Sequence, residues 1–388
     1  MAIKYPENVI KIAEILKKHG YKSYAVGGCI RDALMSREPN DWDMNTDCSP
    51  EKMLEIFESE GIRTIPTGLK HGTVSILLDG EIYECTTFRI DGDYTDSRHP
   101  NSVTFASDVA EDLRRRDFTV NAMAGDPLTE GEIVDVFGGR EDIEAKIIRA
   151  VGDAETRFTE DALRILRAIR FATVLNFEID CDTRSAAIAL GSRLKDISAE
   201  RKSVELQKIL LSKHADRGIS LLLETDLAKY IHPDISRPRV ALSTLPSHFS
   251  ARLAAIFASV PNLSCMKLSG EVTKQTKTLC DDEFYLEATN KFAKNGAKAR
   301  YMLSKYGEIA PDAALLRGDG ELAEAIVNES KKSPAIAIRD LAVNGNDLIS
   351  VGIEQRRLGE ILSQLLLSVI EAPSLNEKDT LIAMAKSI

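Results

Sequence analysis

The sequence predicts an α+β fold in which a small mixed sheet is followed by a long all-helical remainder. Two observations predict it. Strand alternation and turn signals are confined to the N-terminal third, and beyond about residue 140 helical periodicities follow one another without them. At 388 residues the chain exceeds the roughly 250–300 at which a single core stops growing, so two or more domains are expected.

The first element reads as a helix. "PENVIKIAEILKKHG" has apolar residues at helical spacing (Val9, Ile12, Ile15, Leu16), opens on Pro6 and stops at Gly20. "SYAVGG" follows as a short strand running into a glycine turn. Gly27 and Gly28 let the backbone approach a ligand closely, and "CIRDALM" opens a helix whose free N–H groups favour phosphate, with Arg31 adding a planar donor fork. "NDWDMNT" then places Asp41 and Asp43 two apart, so on a strand both carboxylates point to one face. A hard divalent cation, Mg²⁺ above all, relieves that repulsion, whereas a lone D-x-D is also an ordinary polar loop. The glycine turn at this distance moves the reading toward a metal and a phosphate.

"HGTVSILLDGEIYECTTF" alternates Val74, Ile76 and Leu78, turns at Asp79-Gly80, and returns as a second strand, a strong hairpin signal. Ile82, Glu84 and Thr86 share a face of that strand. Glu84 is either a third carboxylate beside the metal or an edge acid facing water. "EDLRRRDFTVNAMA" carries Arg116, suited to a ribose or triphosphate, and Asp117, suited to an ion pair at a helix end.

In "RFTEDALRILRAIRF" Arg164, Arg167 and Arg170 stand three apart, an arc of roughly 120° opposite Ala162, Ile165, Leu166, Ile169 and Ala172. Asp161 precedes Arg164 by three. An acceptor and a planar donor side by side match the edge of cytosine or adenine and reject guanine and uracil; the same residues also make an intrahelical ion pair on a solvated basic face. "AERKSVELQKILLS", "ISLLLETDLAKYI" and "GEILSQLLLSVIEA" continue the helical pattern, and Pro/Ser-containing segments near 233–248 and 260–270 are candidate joints.

Composition bounds the function. The six cysteines show neither C-x-x-C pairs nor zinc spacing, so reduced and mostly buried thiols are expected. No apolar run approaches the ~20 residues that span a bilayer, and the N-terminus lacks the features of a secretory signal, so a cytoplasmic protein without a membrane partner is expected. A formal net charge of −10 leaves nucleic-acid binding open, because affinity for phosphate depends on where basic residues sit.

Together these motifs resemble the class II tRNA nucleotidyltransferases, the bacterial CCA-adding enzymes of Gram-positive type and their poly(A) polymerase relatives in the polymerase β superfamily. "VGGCIRDALMSREPNDWDMNT" looks like the first family motif, "RRDFTVNAMA" like the second, "RFTEDALRILRAIRF" like the templating helix and "ISAERKSVELQKIL" like the motif closing the neck. The resemblance implies Gly28 and Arg31 at the triphosphate, Asp41 and Asp43 on two Mg²⁺ ions, and Arg116 at the nucleotide. It also implies that Asp161 and Arg164 select the base while Arg167 and Arg170 serve the nucleotide. By resemblance the chain divides into a catalytic head (1–140), a neck (141–213), a body (214–305) and a tail (306–388) that grips the tRNA elbow. The implied activity is template-independent addition of CCA to the tRNA 3′ end from CTP and ATP. The rivals are an A-adding enzyme, a poly(A) polymerase, or a non-catalytic RNA-binding protein on the same scaffold. The segment "FRIDGDYTDSRHPNSVTF" resembles a flexible loop kept by the complete and A-adding enzymes. Ser36 departs from the family by standing where a glycine is common, and Arg356-Arg357 by replacing a Gly-Pro.

Overall fold

The computed structural model describes residues 3–69, 72–91, 103–129 and 131–388. The chain divides into two units, Met1–Ile209 with Glu224–Ile231, and Leu210–Leu223 with His232–Ile388.

The first unit begins with α1 (Glu7–Lys18), capped by Pro6 and followed by Gly20 at φ 88°. Then come β1 (Ser23–Val26), α2 (Gly28–Leu34), β2 (Met44–Thr46), α3 (Pro50–Ser59), β3 (Arg63–Gly68), β4 (Thr73–Leu78) and β5 (Glu81–Thr87). The β4–β5 turn is the expected one, with Asp79 and Gly80 both left-handed at φ 51° and 83°, as the right-handed twist of a hairpin demands. A two-stranded ribbon, β6 (Arg89–Asp91) and β7 (Val103–Phe105), flanks the segment whose loop was singled out above; its residues 92–102 lie outside the described residues. After α4 (Val109–Arg114), β8 (Ala124–Gly125) and β9 (Ile133–Val134) complete a seven-stranded mixed sheet, ordered β3-β4-β5-β2-β1-β8-β9.

Alternation along the strands sorts side chains to the two faces. Ala25, Met44, Val74, Ile76 and Cys85 pack with Val9, Ile12 and Leu16 of α1 and Met53, Ile56 and Phe57 of α3, all within a few per cent of full burial. Val26 and Ala124 instead join Phe88, Val109 and Leu113 in a second cluster. β2 and β5 are parallel neighbours, with Met44 opposite Cys85.

Strand signals were expected to end near residue 140, and here the structure differs. After α5 (Gly139–Ala145), β10 (Ile147–Ile148) pairs in parallel with β11 (Glu178–Ile179), two residues each. So short a pair has no alternation for sequence reading to find. Between them lie α6 (Ala154–Glu160) and α7 (Leu163–Leu175), and α8 (Cys181–Ala189) and α9 (Ala199–Leu210) follow.

The second unit contains α10 (Ala215–Glu224) except its last residue, α11 (Phe249–Ala255), α12 (Gly270–Cys280), α13 (Asp282–Asn290), α14 (Asn295–Tyr306), α15 (Ala310–Leu315), α16 (Gly320–Ser330), α17 (Gly345–Ser350), α18 (Leu358–Glu371) and α19 (Lys378–Ser387). Leu348, Ile361, Leu365, Val369 and Leu381 form the buried seam of its last three helices. Arg300, nearly buried, ties α14 to the end of α18 by donating to the carbonyls of Ile370 (2.7 Å) and Glu371 (3.2 Å) while pairing with Glu329 (2.8 Å). All six cysteines are free; Cys29, Cys48, Cys85 and Cys280 are buried. Among the described residues no helix is long and apolar enough to cross a membrane.

Candidate functional site

Within the first unit a cavity of about 700 Å³ is lined by Gly28, Arg31, Asp41, Asp43, Arg115, Arg116, Asp117, Asn121, Asp161, Arg164, Arg167, Arg170, Phe171, Arg201 and Lys208 among others. Gly28, Arg31, Asp41, Asp43, Arg116, Asp161, Arg164, Arg167 and Arg170 are brought together here, whereas Glu84 and Gly27 are not among the lining residues. Eight cationic side chains face four carboxylates, an excess suited to a polyanion.

Asp41 and Asp43 sit just before β2 rather than inside a strand. The Asp43 carbonyl accepts from the Val26 N–H at 3.0 Å, which fixes this segment against β1. Running the β2–β5 register back one residue from Met44 opposite Cys85 sets Asp43 level with Glu84, which is exposed. Desolvation by surrounding protein, then the charges of Asp41 and Glu84, raise the Asp43 carboxyl above its ordinary range, and Arg116 only partly opposes them. The ligand atoms of Asp41, Asp43 and Glu84 do not all come within 4.8 Å of one another; the trio that does among the described residues is Asp180, Cys181 and Asp182, where Asp180 already caps α8 and pairs with Arg149.

The glycine turn works through both residues. Gly27 takes φ 77°, and a Cβ there would meet Nη1 of Arg116 at 2.5 Å, whereas a Cβ on Gly28 would meet only ordinary contact, 3.6 Å from Arg31. Ser36, where a glycine is common, adopts the left-handed φ of 56° that glycine takes most easily. Arg31 is held by Asp32 (2.9 and 3.0 Å) and by Asn121 Oδ1 (2.5 Å). Arg116 is held loosely, donating at 3.4 Å to both the Asn121 carbonyl and Asp112, and its Nε is buried without a hydrogen-bond partner.

The arginine helix differs from a single continuous run. Asp161 is extended (φ −140°, ψ 104°) and separates α6 from α7; its Oδ1 accepts from the N–H of Leu163, the first residue of α7, at 3.0 Å. Asp161 and Arg164 do not pair with each other. Asp161 Oδ2 accepts from Arg201 of α9 at 2.8 Å, while Arg164 pairs with Glu160 at 2.6 Å and donates to the Arg115 carbonyl at 2.8 Å. Nor is the row a solvated face: Arg167 bonds Asp117 (2.7 Å) and Arg170 bonds buried Glu205 (2.6 Å). Burial disfavours ionisation of Asp117, yet Arg167, Asn121 and Arg164 outweigh it and hold its carboxyl at about 2. Arg167 is raised by that same partner, and Arg170 is lowered by its burial, against which Glu205 works.

Two family patterns match this chain: the poly A polymerase head domain over residues 23–149, and a probable RNA-binding and SrmB-binding site of polymerase A over residues 176–237. The chain is 36% identical over 385 residues to a CCA-adding enzyme of Levilactobacillus brevis, covering 96% of this chain and 95% of that one. The chain belongs to the CCA-adding enzyme family. Within 225 residues it is 47% identical to the CCA-adding enzyme of Geobacillus stearothermophilus, 58% of this chain and 54% of that one. A Bacillus stearothermophilus CCA-adding enzyme in complex with CTP superposes with a TM-score of 0.82 at 33% identity, covering 99% of this chain and 98% of that one. The α+β fold is therefore that of the CCA-adding enzymes, and the protein is a nucleotidyltransferase.

Six lining residues have no counterpart in the sequence reading: Arg115, Asn121, Leu163, Phe171, Arg201 and Lys208. Asn121 joins Arg31 to Asp117 (Nδ2 to Oδ1, 3.1 Å), and its signal was a buried amide inside the apolar run "FTVNAMA". Phe171 lies beneath the guanidinium groups of Arg170 (3.8 Å), Arg167 (5.3 Å) and Arg31 (5.5 Å). Arg201 and Lys208 occupy one face of α9 with Glu205 between them, an i, i+4, i+7 pattern legible in "AERKSVELQK".

Proposed function

We propose that this protein adds C, C and A in turn to the 3′ end of tRNA, using CTP and ATP and releasing pyrophosphate. One observation carries the reading: a single cavity joins the carboxylate pair Asp41 and Asp43 to the arginine row of α7, in a fold shared with an enzyme that binds CTP. The terminal hydroxyl oxygen bonds to the α-phosphorus, the bond to the β-phosphate oxygen breaks, and the hydroxyl proton leaves.

The donor set suits a hard divalent cation, because Asp43 carries a raised carboxyl crowded by Asp41 and Glu84 with one loosely held arginine to offset them. Asp41 and Asp43 would hold it; Mg²⁺ is the ion we propose, and when bound it neutralises charge on the reacting oxygens. Glu84, level with Asp43, is the proposed third carboxylate. Gly28, Arg31 and Arg116 receive the triphosphate, Arg116 being held by only two long bonds of 3.4 Å among the described residues. Asp161 accepts from the exocyclic amino group of cytosine or adenine while Arg164 donates to the adjacent ring acceptor, and Arg167 and Arg170 orient the nucleotide. Positioning and charge complementarity then supply most of the acceleration.

The division into head (1–140), neck (141–213), body (214–305) and tail (306–388), with the tail on the tRNA elbow, belongs to the same proposal, as does action in the cytoplasm. The test is to supply CTP, ATP or both to tRNA transcripts ending before CCA, after C and after CC, and to sequence the 3′ ends. Completion of every transcript to one CCA, abolished in Asp41→Ala, is expected. Addition of A to the CC-ended transcript alone makes this an A-adding enzyme, long A tracts make it a poly(A) polymerase, and no extension leaves an RNA-binding protein.

A further inference from the structure

We infer that Arg201 is a positioning residue for base selection and acts through Asp161. The inference rests on the base-reading role proposed for Asp161.

Asp161 lies where the chain is extended between α6 and α7, so no helix turn constrains its side chain. Two contacts do. The local one, Leu163 N–H to Oδ1 at 3.0 Å, fixes one oxygen against the start of α7. The other crosses 40 residues: Nη2 of Arg201 donates to Oδ2 at 2.8 Å, and with both oxygens held the plane of the carboxylate is set. Each carboxylate oxygen accepts about two hydrogen bonds, so both keep an acceptor position for an incoming amino group.

Arg201 has no other side-chain partner among the described residues, and its side chain and that of Asp161 are 24% and 17% exposed. It therefore does not cross-link the core as Glu205, one turn further along α9, does through Arg170. Its one side-chain hydrogen bond among the described residues goes to the group proposed to read the base. The exchange matters because cytosine and adenine offer an amino donor where uracil and guanine offer a carbonyl acceptor. A carboxylate held in plane accepts from the first and repels the second; one free to turn does both less well. Arg201 also presents a planar fork that an ammonium does not reproduce.

The test measures kcat/KM for CTP and for UTP on a transcript ending before CCA, in the parent, Arg201→Ala, Arg201→Lys, Asp161→Ala and the Arg201→Ala/Asp161→Ala double variant, with thermal melting of each. Arg201→Ala should lower the CTP/UTP ratio about tenfold, the weight of one hydrogen bond to a charged group. Arg201→Lys should lower it less, and Arg201→Ala should lower it no further once Asp161 is alanine. An unchanged ratio in Arg201→Ala, or effects of the two single changes that multiply, overturns the inference. If Asp161→Ala leaves the ratio intact, the base-reading role itself fails and the inference with it. Should melting show that Arg201→Ala does not fold, Arg201→Lys, alone and with Asp161→Ala, carries the same comparison, and an unchanged ratio there overturns the inference.

Discussion

At Gly27 the backbone takes φ 77° and a Cβ would lie 2.5 Å from Nη1 of Arg116, while at Gly28 the nearest atom to a Cβ is 3.6 Å away. Adjacent glycines thus make different demands. Gly27→Ala forces a left-handed alanine, which strains the backbone by roughly 1–2 kcal/mol, and displaces the guanidinium proposed to meet the triphosphate. Gly28→Ala does neither. We expect Gly27→Ala to raise the KM for CTP about tenfold, an effect set by that strain and by the displaced guanidinium; steady-state kinetics on the transcript ending before CCA decide, and an unchanged KM would show that the approach of Arg116 to Gly27 is unimportant.

Among elements, α7 is held by its own arginines. Arg164 fastens it to α6 through Glu160, Arg167 to the segment after α4 through Asp117, and Arg170 to α9 through Glu205. The Asp117–Arg167 link is sensitive to acid in a defined sense. Asp117 has a folded value of about 2 against an ordinary 3.8, so its contribution is complete above pH 3.8 and is lost as pH falls through 2. The shift corresponds to roughly 2 kcal/mol. In urea unfolding followed by Trp42 fluorescence, Asp117→Asn should lower stability at pH 7 by roughly 2 kcal/mol, because it removes the buried carboxylate that the part-exposed Arg167 pairs with. It should also flatten the loss of stability between pH 4 and pH 2. An acid dependence identical to the parent would remove Asp117 from that role.

For the whole molecule, two units in one chain should unfold in more than one transition. Trp42 is the chain's one tryptophan and stands between Asp41 and Asp43 in the first unit, whereas helices occur in both. Urea curves from Trp42 fluorescence and from helical circular dichroism should therefore not coincide. CTP with Mg²⁺ should move the fluorescence curve, by about 2.7 kcal/mol at a hundredfold excess over Kd. Superimposable curves, or a ligand shift in the dichroism alone, would contradict this picture.

The sequence by itself determined what is local. The D-x-D spacing, the Asp79-Gly80 hairpin, the glycine turn and the three-residue phase of the arginines follow from backbone stereochemistry over a few residues, and each is found in the structure. It also carried the family, because those motifs occur in combination. Only the tertiary structure decided which charges meet. Helical spacing put Arg164 next to Asp161, yet Asp161 turned to Arg201, 40 residues on, once an extended backbone broke the helix. Glu84 stands level with Asp43 only because β2 and β5 are parallel neighbours in that register. Periodicity fixes the face on which a side chain emerges; the packing of distant segments fixes what that face meets.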